Sequence, residues 1–435
     1  MARTSYYALT WIRCTSLLSF FSLAASLSIN FSSSSSGRSL RELSSVELFS
    51  QNGSENFVEF GDLSRREAWK RISASVVAPY LLLGGLSINP ISANAILNPY
   101  TDEKQTIVIT GSNSGIGLDA ATRMASKGHK IILACRTISK AETAARAIQE
   151  SLLQSNSVGK DADLVPMECD LASLKSISNF VSKLKASVLG ENGQIDILAL
   201  NAGLARDTNA KEVLRTHEGF ELTVGTNHLG HFYLTQLALP LVQNNGRIVV
   251  TASSVHDPDS PGGAQGSKAT LGNLEGLENG PYFDMVDGGP FDADKAYKDS
   301  KLCNVFFTQE LQRRLESAGS QIVANCFTPG LIVGTGLFRD QNPIFTKVFD
   351  FAATSLLRVG ETPQYGGGAL EYMCLDKNAG SKGGRYFFSD PGSSKYGEAA
   401  YGAQFNVAEV SKEARNTEKG KRLWDLSMKL VGYKT

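Results

Sequence analysis

Tyr297 and Lys301, in Tyr297-Lys-Asp-Ser-Lys301, are spaced to do proton chemistry together. On a helix, positions i and i+4 share a face, so a phenol and an ammonium stand side by side. A tyrosine exchanges protons poorly near neutrality unless its pKa moves, and an adjacent cation stabilises the phenolate and lowers it. A hydroxyl comes from Ser253 or Ser254, at the end of the run Gly246-Arg-Ile-Val-Val-Thr251, and the spacing from Arg247 favours Ser253. Upstream stands a second feature, Gly111-Ser112-Asn113-Ser114-Gly115-Ile116-Gly117. Glycines there let the backbone approach a ligand closely. A helix N-terminus behind them offers free N–H groups and a partial positive charge, as a pyrophosphate requires.

Elements that could position these residues are legible in the hydrophobic pattern. Thr106–Thr110 is a short β-branched run that leads into the glycine turn, and a helical pattern follows through Ala121, Met124 and Ala125. Lys130–Cys135, Leu164–Cys169, Ile195–Leu200 and Gly246–Thr251 repeat the strand signal, with helical segments between them. The alternation predicts an α/β fold with a doubly wound parallel sheet, the Rossmann fold. Ligands in such sheets bind outside the C-terminal strand ends. The residues just past each strand are therefore candidates: Arg136, Asp170-Leu171 beside an adenine, and Asn201-Ala202-Gly203. A cation at position 136, where NAD-preferring sites carry an acid, favours the 2′-phosphate of NADP.

Composition bounds the function classes. Of 435 residues, 43 are basic and 43 acidic, which removes the electrostatic argument for nucleic acid as a partner. Six scattered cysteines form neither a disulfide framework nor a CxxC metal motif. His228 and His231 lack a third ligand, so no metal is expected.

Together these residues resemble the short-chain dehydrogenase/reductase superfamily over nearly all of Ile96–Thr435. The resemblance implies that Asn227, Ser253, Tyr297 and Lys301 form a catalytic tetrad, that Tyr297 and Lys301 also contact an NADPH cofactor, and that Pro329-Gly330 and Thr335 border the nicotinamide. A closer resemblance is carried by the 43 residues between Ser253 and Tyr297, with Lys268-Ala-Thr-Leu-Gly-Asn-Leu274 and Met285-Val-Asp-Gly-Gly-Pro-Phe-Asp292. Glu218–Phe232, Thr335-Gly-Leu-Phe-Arg339 and the tail Lys421–Gly432 extend it. These look like light-dependent protochlorophyllide oxidoreductases. That likeness implies hydride transfer to C17 of a tetrapyrrole pigment, proton addition at C18 from Tyr297, and a cysteine near the substrate at Cys303. The long insert reads as a substrate lid before the catalytic helix.

Two positions depart from that pattern. Ala205 stands where the family has a tyrosine touching the pigment, and Leu331 where it has a cysteine after Pro-Gly. They motivate a second reading, a light-independent reductase of another large hydrophobic substrate such as a carotenoid. A third is a pigment- or NADPH-binding protein without turnover, against which the Tyr297/Lys301 pair argues.

Residues 1–95 read as addresses. Arg3 and Arg13 precede the apolar stretch Leu17–Ile29, and the run Ser32–Ser36 follows. Then come Ser64-Arg65-Arg66, the apolar Val76–Leu86 and Ala93-Asn94-Ala95, the parts of a twin-arginine signal. Stacked signals resemble those of plastid proteins, with the thylakoid membrane or lumen as destination. Peripheral membrane association and oligomerisation are left open.

Overall fold

The computed structural model describes residues 103–155, 162–190, 193–332, 360–389 and 405–433, and the backbone of three short strands nearer the N-terminus. The chain divides into two compact units, Met1–Ala93 and Asn94–Thr435. In the first, Ser28–Phe31, Ser45–Phe49 and Glu55–Glu59 pair as a three-stranded antiparallel sheet, with Ser28 opposite Phe49 and Ser45 opposite Glu59. The serine run, the twin-arginine pair, the apolar segment 76–86 and Ala93-Asn94-Ala95 lie outside the described residues.

The second unit is built on eight strands. In chain order its main elements are β1 (Thr106–Thr110), α1 (Gly115–Ser126), β2 (Lys130–Cys135), α2 (Ile138–Gln154), β3 (Leu164–Glu168), α3 (Leu174–Lys183) and β4 (Ile195–Leu200). After these comes α4, which runs from Leu222–Val224 through π-type turns at Gly225–Gly230 into His231–Ala238. Then follow β5 (Val242–Thr251), α5 (Ala293–Ser317), β6 (Val323–Phe327), α6 (Pro363–Leu375), β7 (Tyr386–Phe388), β8 (Asn406–Ala408) and α7 (Thr417–Val431). The sheet order is β8-β7-β6-β5-β4-β1-β2-β3. Every neighbouring pair is parallel except β7–β8 at the edge. This is the doubly wound sheet that the sequence predicts.

Alternation along the strands shows why they are apolar throughout. Val108, Ile132, Leu198, Ile248 and Val250 face one core, while Ile107, Ile109, Ile131, Leu133, Ile197 and Val249 face the other. Helices cover both faces, so no position on these strands needs to be polar.

The insert between β5 and α5 is not a loose flap. It contains a single helical turn at Glu275–Glu278, and it buries Leu271, Leu274, Leu277, Phe283, Met285 and Val286. Charged residues of α5 hold its backbone. Lys295 Nζ donates to the Thr270 carbonyl at 2.7 Å, and Thr270 N–H donates to Asp299 Oδ1 at 2.9 Å. Lys298 Nζ donates to the Ser267 carbonyl at 2.7 Å, and Ser267 N–H donates to Asp294 Oδ2 at 2.9 Å. From the C-terminal side, Glu413 accepts from Leu271 N–H at 2.9 Å. Asp299 is fully buried and pairs with Lys295 at 2.5 Å, and Lys295 also pairs with Asp287 of the insert at 3.0 Å, so removing Asp299 leaves the cation one carboxylate and the Thr270 N–H no acceptor. Asp299→Ala should therefore destabilise the protein by roughly 2 kcal/mol. Limited proteolysis should then cut first between residues 255 and 292, whereas uniform cleavage would show that the insert is held by packing alone.

Candidate active site

All the strand ends that matter open on one edge of the sheet, and a cavity of about 1070 Å³ runs along it. Of the sequence-derived candidates, the structure brings to this cleft Gly111, Asn113, Ser114, Gly115, Ile116, Gly117, Arg136, Asp170, Leu171, Asn201, Ala202, Gly203, Ser253, Tyr297, Lys301, Pro329 and Gly330. Ser112 is buried beneath the turn, its hydroxyl 3.5 Å from Cys135 Sγ. Thr335 lies outside the described residues.

A dinucleotide fits one end of the cleft. Gly111 has φ +68°, and a Cβ there would stand 2.9 Å from Ala202 Cα, so only glycine lets the turn pack on the loop after β4. A Cβ on Gly117 would come within 2.6 Å of Asn201 Nδ2. Helix α1 begins after Ser114, whose side chain makes no capping bond, and its first turn carries no acid. Its leading N–H groups are thus left for an anion from outside the chain. Arg136 and Lys140 both line this end, both are exposed, and neither makes an ion pair among the described residues. Sequence reasoning missed Lys140. Its signal was the i+4 spacing from Arg136 across the first turn of α2, whose N-cap is Thr137.

The centre of the cleft holds the proton-bearing groups. Tyr297 shares a hydrogen bond with the Ser253 side chain, which accepts from Val255 N–H at 3.4 Å, while Ser254 N–H is turned toward Thr328. Lys301 Nζ donates to the Thr251 carbonyl at 3.0 Å and lies 5.6 Å from the Tyr297 ring centroid. Burial pushes the Tyr297 phenol up to about 12, against the Ser253 bond. Burial also lowers Lys301 to about 8. Burial, which penalises a phenolate, outweighs the lowering expected from a neighbouring cation. A phenol held protonated is the form that donates a proton.

Asn227 and Cys303 do not line the cleft. Asn227 sits in the π-type turns of α4, fully buried, and its amide is spent on the loop behind the cleft. Its Oδ1 accepts from Leu204 N–H at 2.9 Å, and its Nδ2 donates to the Leu204 carbonyl at 2.9 Å and to Ser300 Oγ at 3.0 Å. Cys303 corrects the sequence expectation more sharply. At about 100° per residue it points some 200° away from Lys301 on α5, into the apolar core. Burial raises its thiol well above the ordinary value, which disfavours the nucleophilic thiolate.

Apolar side chains, Leu204, Val255, Pro261, Phe291, Leu331 and Phe388, form part of the cleft wall, interspersed with polar ones such as Asn209, Gln265 and Asp292. The insert supplies part of that wall. Ala205 is buried and does not line the cleft, whereas Leu331 does. Thr226, Thr251 and Ser389 also border the cleft, and their hydroxyls are buried without a partner among the described residues. These positions had no sequence signal, since lone hydroxyl residues occur throughout the chain.

The sheet order, the glycine turn and the Ser-Tyr-Lys grouping on α5 and β5 are those of a short-chain dehydrogenase/reductase. Residues 105–270 match the family described as short chain dehydrogenase. A solved structure of an uncharacterised protein from Mycobacterium paratuberculosis is 26% identical, with a TM-score of 0.54 over 77% of this chain and 96% of that one. Protochlorophyllide reductase, chloroplastic, of Marchantia paleacea is 36% identical over 377 residues, 83% of this chain and 77% of its own. Protochlorophyllide reductase A, chloroplastic, of Arabidopsis thaliana is 32% identical over 423 residues, 95% of this chain and 97% of its own. The chain belongs to the protochlorophyllide reductase family of short-chain dehydrogenases.

A pH dependence follows from Lys301. Its folded value near 8 lies below the unfolded 10.5, so between the two the unfolded chain holds a proton that the folded chain has released. Stability contributed by this group should therefore rise with pH across that window, by at most about 1.4 kcal/mol per pH unit. Denaturant unfolding of the cofactor-free protein and of Lys301→Met should diverge between about pH 8 and about pH 10. Parallel stabilities would mean that Lys301 keeps its ordinary pKa.

Proposed function

We propose that the protein is an NADPH-dependent reductase of protochlorophyllide that uses light, and that it works in the plastid. One observation carries the reading: a single cleft joins a dinucleotide cradle, a Ser253-Tyr297-Lys301 group and an apolar wall. Its volume of about 1070 Å³ stands at the upper end of the roughly 300–1,000 Å³ of ordinary ligand sites, in keeping with a site that takes a dinucleotide and a second large ligand. The curated relatives are named protochlorophyllide reductase.

When bound in this cradle, NADPH would supply the hydride for one carbon of the double bond. Tyr297 then gives its phenolic proton to the adjacent carbon, so one hydride and one proton complete a two-electron reduction. Lys301, without a carboxylate partner among the described residues, holds positive charge beside the phenol as that proton leaves. Ser253 orients the phenol through their shared hydrogen bond. Arg136 and Lys140 take the 2′-phosphate, and Asp170-Leu171 the adenine. Residues 1–95 act as the address segment, consistent with relatives named chloroplastic.

Absorbance spectra of the protein with NADPH and protochlorophyllide, in darkness and after a flash, test the reading. A light-dependent shift to the chlorophyllide band is expected. Turnover in darkness would remove the light requirement. No turnover with NADPH still bound would favour the carotenoid-type reading that Leu331 on the cleft wall motivates. Tyr297→Phe should cut turnover at least about 100-fold while NADPH affinity stays within about threefold. The double variant Arg136→Ala/Lys140→Ala should weaken NADPH about 10- to 100-fold and leave NADH unchanged; equal weakening of both would place the 2′-phosphate elsewhere.

A further inference from the structure

We propose that His231 is a positioning residue that ties the cofactor cradle to the Asn227 segment of α4 through both nitrogens of its ring. His231 lies on α4, 1% exposed, one turn after Asn227. Its Nδ1 is 3.0 Å from the Asn227 carbonyl, and its Nε2 is 2.9 Å from Thr110 Oγ1. A carbonyl can only accept, so Nδ1 carries the proton. Nε2 then accepts from the Thr110 hydroxyl if the ring is neutral, and it is neutral. Burial, with Lys301 nearby, lowers its pKa to about 4 in spite of the Asn227 bond.

The Thr110 hydroxyl has little choice in this arrangement. Its oxygen accepts from Asn201 N–H at 2.9 Å and from Ala202 N–H at 3.0 Å, the first two residues of the loop after β4. Its single proton goes to Nε2 at 2.9 Å in preference to the Ala199 carbonyl at 3.4 Å. That loop carries Gly203, which packs near both Lys301 Nζ and Asn227 Oδ1, and Ala202, on which Gly111 rests. One imidazole therefore links the end of β1, the Asn201-Ala202-Gly203 loop and the π-type turns that present Asn227. Those turns depart from regular helix, and the His231 bond to the Asn227 carbonyl is one of the contacts that fixes them.

The two arms can be cut separately. In His231→Asn the side-chain amide stands where Nδ1 was and can donate to the Asn227 carbonyl, but nothing reaches Thr110. In His231→Gln the longer amide places an acceptor near the Nε2 position and gives up the Asn227 bond. Full-length wild type and both variants would be titrated with NADPH alone, and turnover with protochlorophyllide under light would be read at saturating NADPH. His231→Asn should raise the NADPH Kd about tenfold, equal to about 1.4 kcal/mol, with the smaller loss of kcat. His231→Gln should do the reverse, losing about tenfold in kcat with the smaller change in Kd. Equal changes in Kd and kcat for both variants, tracking a common fall in Tm, would overturn the proposal and leave His231 as packing.

Should one variant fail to fold, a double-mutant cycle of Thr110→Val with His231→Ala decides the cofactor arm. Losses of NADPH affinity well short of additive are expected, and additive losses would overturn the link. The inference rests on the reductase reading for its turnover arm only. If the wild type binds NADPH and does not reduce protochlorophyllide, that reading fails, while the Kd comparison still judges the cofactor arm.

Discussion

The cleft depends on the packing of β1 against β4 at their C-terminal ends. There the chain must leave two adjacent parallel strands at the same edge, and the backbone N–H groups of the second exit loop need acceptors inside the protein. Thr110 supplies one oxygen for two of them, and Asn201 returns a bond to the Thr110 carbonyl at 3.0 Å. With the exits locked, the glycine turn can lie flat on Ala202 and direct the N-terminus of α1 into the cleft. Any side chain on Gly111 would lift the turn off that surface. The cofactor end and the catalytic end thus share one foundation.

Charge is distributed along the cleft by burial. Arg136 and Lys140, at the rim, are exposed and keep their hydration until an anion arrives. Lys301, at the floor, has lost its water and faces a carbonyl dipole in place of a carboxylate. Removing an ammonium from water without a full counter-charge weakens its hold on the proton. A phenol beside it is held protonated by the same dry surroundings. Burial therefore drives the two proton affinities apart, the phenol up to about 12 and the ammonium down to about 8, so the phenol is the group that keeps its proton. The insert contributes by a different route: hydrogen bonds from its backbone and the Asp287–Lys295 ion pair attach it to α5, the helix that carries Tyr297 and Lys301.

Much of this was legible in the sequence because it depends on local pattern. The five β-branched runs announced strands since both faces of the sheet are covered. The glycine turn, Arg136, Asn201-Ala202-Gly203, Ser253 and Tyr297/Lys301 follow strand ends or share a helix face, and both relations are fixed by residue spacing. Cys303 misled because a likeness in sequence position does not fix which way a helix residue turns, and its own angle from Lys301 points it to the core. Lys140, Thr226 and Ser389 stayed hidden because the turns bringing them to the cleft have no distinctive composition.

Sequence by itself determined the fold class, the order of the elements and the family, since hydrophobic period and turn chemistry are properties of neighbours in the chain. Only the tertiary structure decided which groups are dry and whom they face. It turned Lys301 to Thr251 across 50 residues and His231 to Thr110 across 121. It committed the Asn227 amide to Leu204 and Ser300, away from the cleft. Burial and hydrogen-bond partners belong to residues distant in the chain, and they set proton affinity and orientation, which residue type alone does not.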